Sequence, residues 1–136
     1  MAAFVLDTSA IISVLRHEVD AESFRTYLDV ELDPCLSLAT LFETCSVLRR
    51  KDLQELVPEL DRLLDLIEPE LVPFDVEQFL MARSGYERFG RGSGHPAGLN
   101  FGDCFAYALA KTRGLPLLFK GDDFVHTDIV PALKPA

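Results

Sequence analysis

Four acidic residues occupy similar places along the chain, each beyond a short apolar run or near the start of a segment patterned for a helix. Asp7 follows Ala3–Leu6. Glu43 lies about one turn into the helical pattern after Cys35–Leu38. Asp103 opens a small-residue helical segment after a glycine-rich stretch, and Asp122 follows Leu117–Phe119. Carboxylates brought within a few ångströms repel, and one or more then holds a proton near neutral pH. A divalent cation relieves the repulsion. An all-oxygen donor set selects a hard ion, Mg2+ or Mn2+, over zinc, which would call for His or Cys. Such an ion keeps several waters, of which one can become the attacking hydroxide on a phosphodiester while the metal offsets developing charge. One ion or two would serve. Taken singly, each acid also fits a helix cap; their joint placement points to a site. His17, His95 and His126 are scattered, with no ligand spacing, and read as surface or loop residues.

The elements that must position these acids follow from the hydrophobic pattern. Ala3–Leu6 reads as a buried strand feeding a helix at Thr8-Ser9. A helix is expected from Asp20 to about Glu31, broken at Asp33-Pro34, then a strand over Cys35–Leu38 and a helix over Ala39–Lys51. Leu53 through Ile67 keep helical spacing, with Pro58 marking either a new start or a kink. A strand over Glu70–Phe74, a helix over Val76–Phe89, a loop over Gly90–Gly98, a helix over Phe101–Arg113 stopped by Gly114 and a strand over Leu115–Phe119 complete the order. Strands apolar throughout, separated by helices, indicate a mostly parallel sheet covered on both faces: a three-layer α/β/α sandwich in one domain, residues 1–136. In such a sheet the strand carboxyl ends and adjoining helix starts meet at one crevice, where all four acids fall.

Composition narrows the classes. The 136 residues carry 13 Lys+Arg against 22 Asp+Glu, a net charge of −9, so binding nucleic acid by bulk positive charge is excluded. Three cysteines without a C-x-x-C pair argue against a disulfide scaffold or zinc knuckle and suit a reducing cytoplasm. No apolar run is long enough to span a bilayer. The charge is uneven: residues 52–77 hold nine acids and one base, and residues 78–121 hold six bases and two acids. Arg83, Arg88, Arg91 and Lys120 are candidates to border the cleft and position phosphates, with the glycine loop flexing to admit a strand. The plainer alternative is a set of solvated helix faces.

Four pieces in order, Phe4-Val5-Leu6-Asp7-Thr8-Ser9-Ala10, Ser37-Leu38-Ala39-Thr40-Leu41-Phe42-Glu43, Leu99 through Ala110 including Asp103, and Leu117-Leu118-Phe119-Lys120-Gly121-Asp122-Asp123-Phe124, resemble the PIN-domain family, in particular its VapC-type toxins. The resemblance runs essentially end to end. It implies a Mg2+- or Mn2+-dependent endoribonuclease acting on single-stranded RNA, a homodimer, and inhibition by a co-expressed VapB-like antitoxin. It assigns Asp7, Glu43, Asp103 and Asp122 as catalytic and metal-holding residues, with Glu43 orienting or deprotonating the attacking water. Asp123 adjoins Asp122 and could share its role. Thr8 and Ser9 fit either a helix cap or contacts to Asp7 or a metal-bound water, and Asn100 either a cap or a substrate contact. A PIN-like module that binds RNA or protein without cutting is the main alternative. Phosphoryl transfer through an aspartyl-phosphate at Asp7 fits poorly, because the haloacid-dehalogenase pattern wants Asp where Ser9 stands.

Overall fold

A computed structural model describes residues 3–30 and 33–133. The order is β1 (Ala3–Leu6), α1 (Thr8–Leu15), α2 (Ala21–Val30), β2 (Asp33–Ser37), α3 (Leu38–Val47), a 3-10 turn (Gln54–Leu56), α4 (Val57–Ile67), β3 (Glu70–Val72), α5 (Val76–Phe89), α6 (Asp103–Arg113) and β4 (Leu117–Leu118). The four strands form one sheet in the order β3-β2-β1-β4, and every pairing is parallel.

The unbroken apolar strands have a simple cause, since side chains alternate between two cores. Phe4, Leu6, Leu36 and Leu118 point into one layer with Ile11, Val14, Phe24 and Leu60, while Val5, Cys35, Val72 and Leu117 point into the other with Phe89, Tyr107 and Leu109. Helices cover both faces, so neither set meets water. The strand order places β1 next to β4, strands distant in sequence, and the switch between them is where a crevice must open.

Several boundaries differ from the sequence expectation. Pro58 falls in the first turn of α4, so it starts a helix and does not kink one, because the missing N–H is needed by no bond there. The expected strand Leu115–Phe119 pairs only over Leu117–Leu118, and residues beyond it return so that Leu117 N–H donates to the Val130 carbonyl at 2.9 Å and Ala132 N–H to that of Leu117 at 2.8 Å. This return covers the edge of β4. The expected end of the second helix at Glu31 lies outside the described residues. The glycine stretch 90–98 is closed at its base: Arg91 N–H donates to the Leu99 carbonyl at 2.9 Å, Leu99 N–H to that of Phe89 at 2.8 Å, and Ala97 is buried. Among the described residues, no helix is long and apolar enough to cross a membrane.

Candidate active site

Asp7 lies between β1 and α1, at the N-cap of the helix. Its own carboxylate caps the helix, Oδ2 accepting from Ser9 N–H at 3.0 Å. Ser9 Oγ donates to the same oxygen at 2.6 Å and accepts from Lys120 N–H at 2.9 Å. The serine therefore ties the backbone after β4 to the aspartate at the end of β1. The other oxygen of Asp7, Oδ1, is buried with no hydrogen-bond partner, and the residue is 2% exposed. An ionised carboxylate so placed is costly unless something cationic meets it.

Thr8 points the other way. Its hydroxyl donates to Glu43 Oε1 at 2.7 Å and lies 3.0 Å from Thr44 Oγ1, so α1 grips the glutamate of α3. The opposite oxygen of Glu43, Oε2, lies against the backbone of Gly102; a Cβ there would overlap the carboxylate. Gly102 thus lets Glu43 reach the start of α6. Asp103 is fixed there by a reciprocal pair: Asn100 Oδ1 accepts from Asp103 N–H at 2.9 Å, and Asp103 Oδ2 accepts from Asn100 N–H at 3.0 Å. The pair has the reciprocal hydrogen bonds of a capping box, closed across the turn that leads into α6.

The electrostatics follow from burial. Asp7 is pushed up to about 6, chiefly by desolvation, with the Glu43 charge adding to it. Asp103, 8% exposed, is pushed up to about 7, again chiefly by desolvation and then by the charge of Asp7, with Asp123 adding further. The two buried aspartates therefore feel each other, although they come from opposite ends of the chain. Among the described residues no group of three acid, histidine or cysteine side chains is already arranged to hold a metal ion. Two mutually repelling carboxylates with one orphaned oxygen nonetheless fit a hard, largely hydrated cation that needs few protein ligands.

The remaining sequence candidates separate. Asp122 is exposed, and the acid that interacts with Asp103 from this loop is its neighbour Asp123. The four basic candidates do not form one free strip. Lys120 Nζ pairs with Glu18 at 2.8 Å and lies 3.8 Å from Asp20. Arg88 pairs with Asp128 at 3.5 Å and stacks on Phe89. Arg83 lies over the Phe79 ring, and Arg91 is exposed at the start of the glycine turn. Of the open roles, Asn100 holds Asp103 in place, Ser9 contacts Asp7, and Thr8 bonds to Glu43, a contact outside the alternatives the sequence had offered. Its only sequence signal was a hydroxyl directly after the first acid, and Gly102 offered none beyond preceding Asp103.

A family model described as the PIN domain matches residues 4–130. The chain is 42% identical over 128 residues to Ribonuclease VapC42 of Mycobacterium tuberculosis, covering 94% of this chain and 98% of the relative. It is 46% identical over 129 residues to Ribonuclease VapC28 of the same organism, covering 95% and 97%. In three dimensions it resembles M. tuberculosis VapC20, described as a Sarcin-Ricin loop cleaving toxin, at TM-score 0.72 and 14% identity over 93% of this chain and 96% of that one. It also resembles a chain of the Rickettsia felis VapBC2 complex bound to a promoter DNA fragment, at TM-score 0.70 and 14% identity over 98% of both chains. The last two are likenesses of fold.

Proposed function

The chain belongs to the PIN-domain family, and on that premise we propose that it is an endoribonuclease toxin of the VapC type, held in check by a VapB-like antitoxin. The observation that carries the proposal is the buried Asp7, with Oδ1 unpartnered, beside a second buried carboxylate, Asp103. That arrangement has a clear use where a cation is drawn in and little as a folding device.

Asp7 and Asp103 would hold Mg2+ or Mn2+, which when bound supplies charge neutralisation at a phosphodiester and acidifies bound water. Glu43 is the group to orient and deprotonate the attacking water. Thr8 occupies Oε1, so Oε2 beside Gly102 is the oxygen left to take the proton. The outer carboxylate belongs to the Asp122–Asp123 pair, with Asp123 interacting with Asp103. Arg91 and Arg83, unlike Lys120 and Arg88, have no ion pair within the described residues and are the cations to meet RNA phosphates.

Single-stranded RNA is the substrate that a small, net-acidic protein could accept through local contacts. A homodimer acting in the cytoplasm is the assembly we expect; Cys35, Cys45 and Cys104 are all unpaired thiols, as a reducing compartment requires. The test is cleavage of a defined single-stranded RNA by the purified protein. Cleavage should stop with chelator, return with Mg2+ or Mn2+, and be lost in Asp7→Asn. Metal-independent cutting, or cutting by Asp7→Asn, would overturn the proposal.

A further inference from the structure

The two most exposed aromatic rings among the described residues flank the acids. Phe42, 77% exposed, precedes Glu43, and Phe101, 75% exposed, lies two residues before Asp103. Water-facing phenyl rings are unfavourable where nothing covers them, and Phe42 is the chain neighbour of Glu43 and Phe101 of Gly102, the two residues that meet. Beside Phe101 a cleft of about 340 Å3 opens between α5 and α6, walled by Phe74, Phe79, Tyr86 and Phe105 with Arg83 at its rim. Phe105 holds both aromatic neighbours edge to face, with ring centroids 5.0 Å from Phe101 and 5.2 Å from Phe74. Phe101 is therefore buttressed in place while its ring stays open to solvent.

We propose that Phe101 and this cleft are a nucleobase platform, receiving by stacking the base of a nucleotide next to the scissile phosphate. The proposal rests on the ribonuclease reading for its substrate. Three observations favour a base as the occupant. The platform shares the turn that carries Asp103, so a strand whose phosphate lies at the acids has its next base within reach. The walls are carbon, which suits the π-face of a heterocycle and gives its hydrogen-bonding edge nothing to pair with. Arg83, stacked over Phe79 at 5.5 Å, places a cation at the rim where the connecting phosphate would run. A site of this kind selects by stacking strength and not by hydrogen bonds, so it prefers purines at one position flanking the cut and reads little else.

The chain contains no tryptophan, so Phe101→Trp places a single indole on the platform. In an Asp7→Asn background, a short adenylate RNA is expected to quench its emission, and the same oligomer with abasic sites is expected to leave it unchanged. In the catalytically intact chain, Phe101→Ala should lower kcat/KM roughly tenfold, within the range a lost stacking contact gives. It should also flatten the nucleotide preference beside the cut, read by sequencing product ends, while Phe101→Trp keeps that preference. No quenching, equal quenching by the abasic oligomer, or an intact preference in Phe101→Ala overturns the platform. If Phe101→Ala only dissociates a dimer and leaves the preference intact, the patch belongs to a second copy. If the wild type cuts no RNA but the indole is quenched by bases, the nuclease reading fails and with it the place of the platform beside a cut, while base stacking on Phe101 stands.

Discussion

Thr8 Oγ1 donates a 2.7 Å hydrogen bond to Glu43 Oε1, so the residue after the buried aspartate of α1 sets the direction of the glutamate on α3. A bond to a charged group is worth roughly 1.5–3 kcal/mol. Thr8→Val keeps the shape and removes the donor, and kcat should fall about ten- to a hundredfold with KM little changed. Thr8→Ser should restore most of the rate. Steady-state kinetics on a short RNA separates this from a packing defect, which Ser would not rescue.

Gly102 makes a sharper demand. Its backbone angles (φ −66°, ψ −35°) suit any residue, so alanine brings no strain of conformation, only a methyl group where the Glu43 carboxylate lies. Gly102→Ala should therefore leave the circular dichroism spectrum unchanged and cut activity more than tenfold. Gly102→Ala at full activity would mean that Glu43 is free to move and is not the base.

The raised pKa values of Asp7 and Asp103 fix the pH dependence of stability. Both folded values lie above the ordinary carboxylate range, so the native state binds more protons than the unfolded chain between about pH 4 and 7. Stability of the metal-free protein then rises as pH falls from 8 toward 5. For Asp7 alone the penalty of ionisation at pH 8 is about 3 kcal/mol. Thermal melts in chelator should gain roughly 5–10 °C from pH 8 to pH 5, and saturating Mg2+ should flatten the curve by stabilising the alkaline side. Glu18 and Glu70, held low by hydrogen bonds from Lys120 and Arg113, lose their contribution only below this window. Asp103→Asn should raise the metal-free melting temperature at pH 7.5 while abolishing cleavage; a clear drop would make Asp103 a structural residue.

Asp122 and Asp123 are separable. Of the two, Asp123 is the one that adds to the rise in Asp103, so Asp123→Asn should reduce activity more than Asp122→Asn and should ease proton release from Asp103. An acidic shift in the pH–rate profile of Asp123→Asn, absent from Asp122→Asn, is the expected signature. A larger loss in Asp122→Asn would return the fourth role to that residue.

The layers and the interaction of Asp7 with Asp103 were legible because they follow from period and topology: apolar strands need two covered faces, and in a parallel sheet the strand ends and helix starts gather at one edge, with Asp7 following β1 and Asp103 opening α6. The details that orient the acids were not. Whether Thr8 turns to Asp7 or to Glu43 depends on which helix packs beside α1, a long-range fact invisible in a local sequence. Arg88 and Lys120 looked like free cations because their partners, Asp128 and Glu18, are 40 and 102 residues away. Adjacent Asp122 and Asp123 differ only through the backbone path after β4. Periodicity carries no information on that path.

The sheet order has an implication for biosynthesis. β1 and Asp7 are synthesised more than a hundred residues before their lateral partner β4 and the Lys120 amide that steadies Ser9. Asp103 arrives only shortly before it. A nascent chain therefore lacks half of its acid cluster until α6 and the loop after β4 have been made, which leaves a co-produced inhibitor that interval of synthesis in which to be ready.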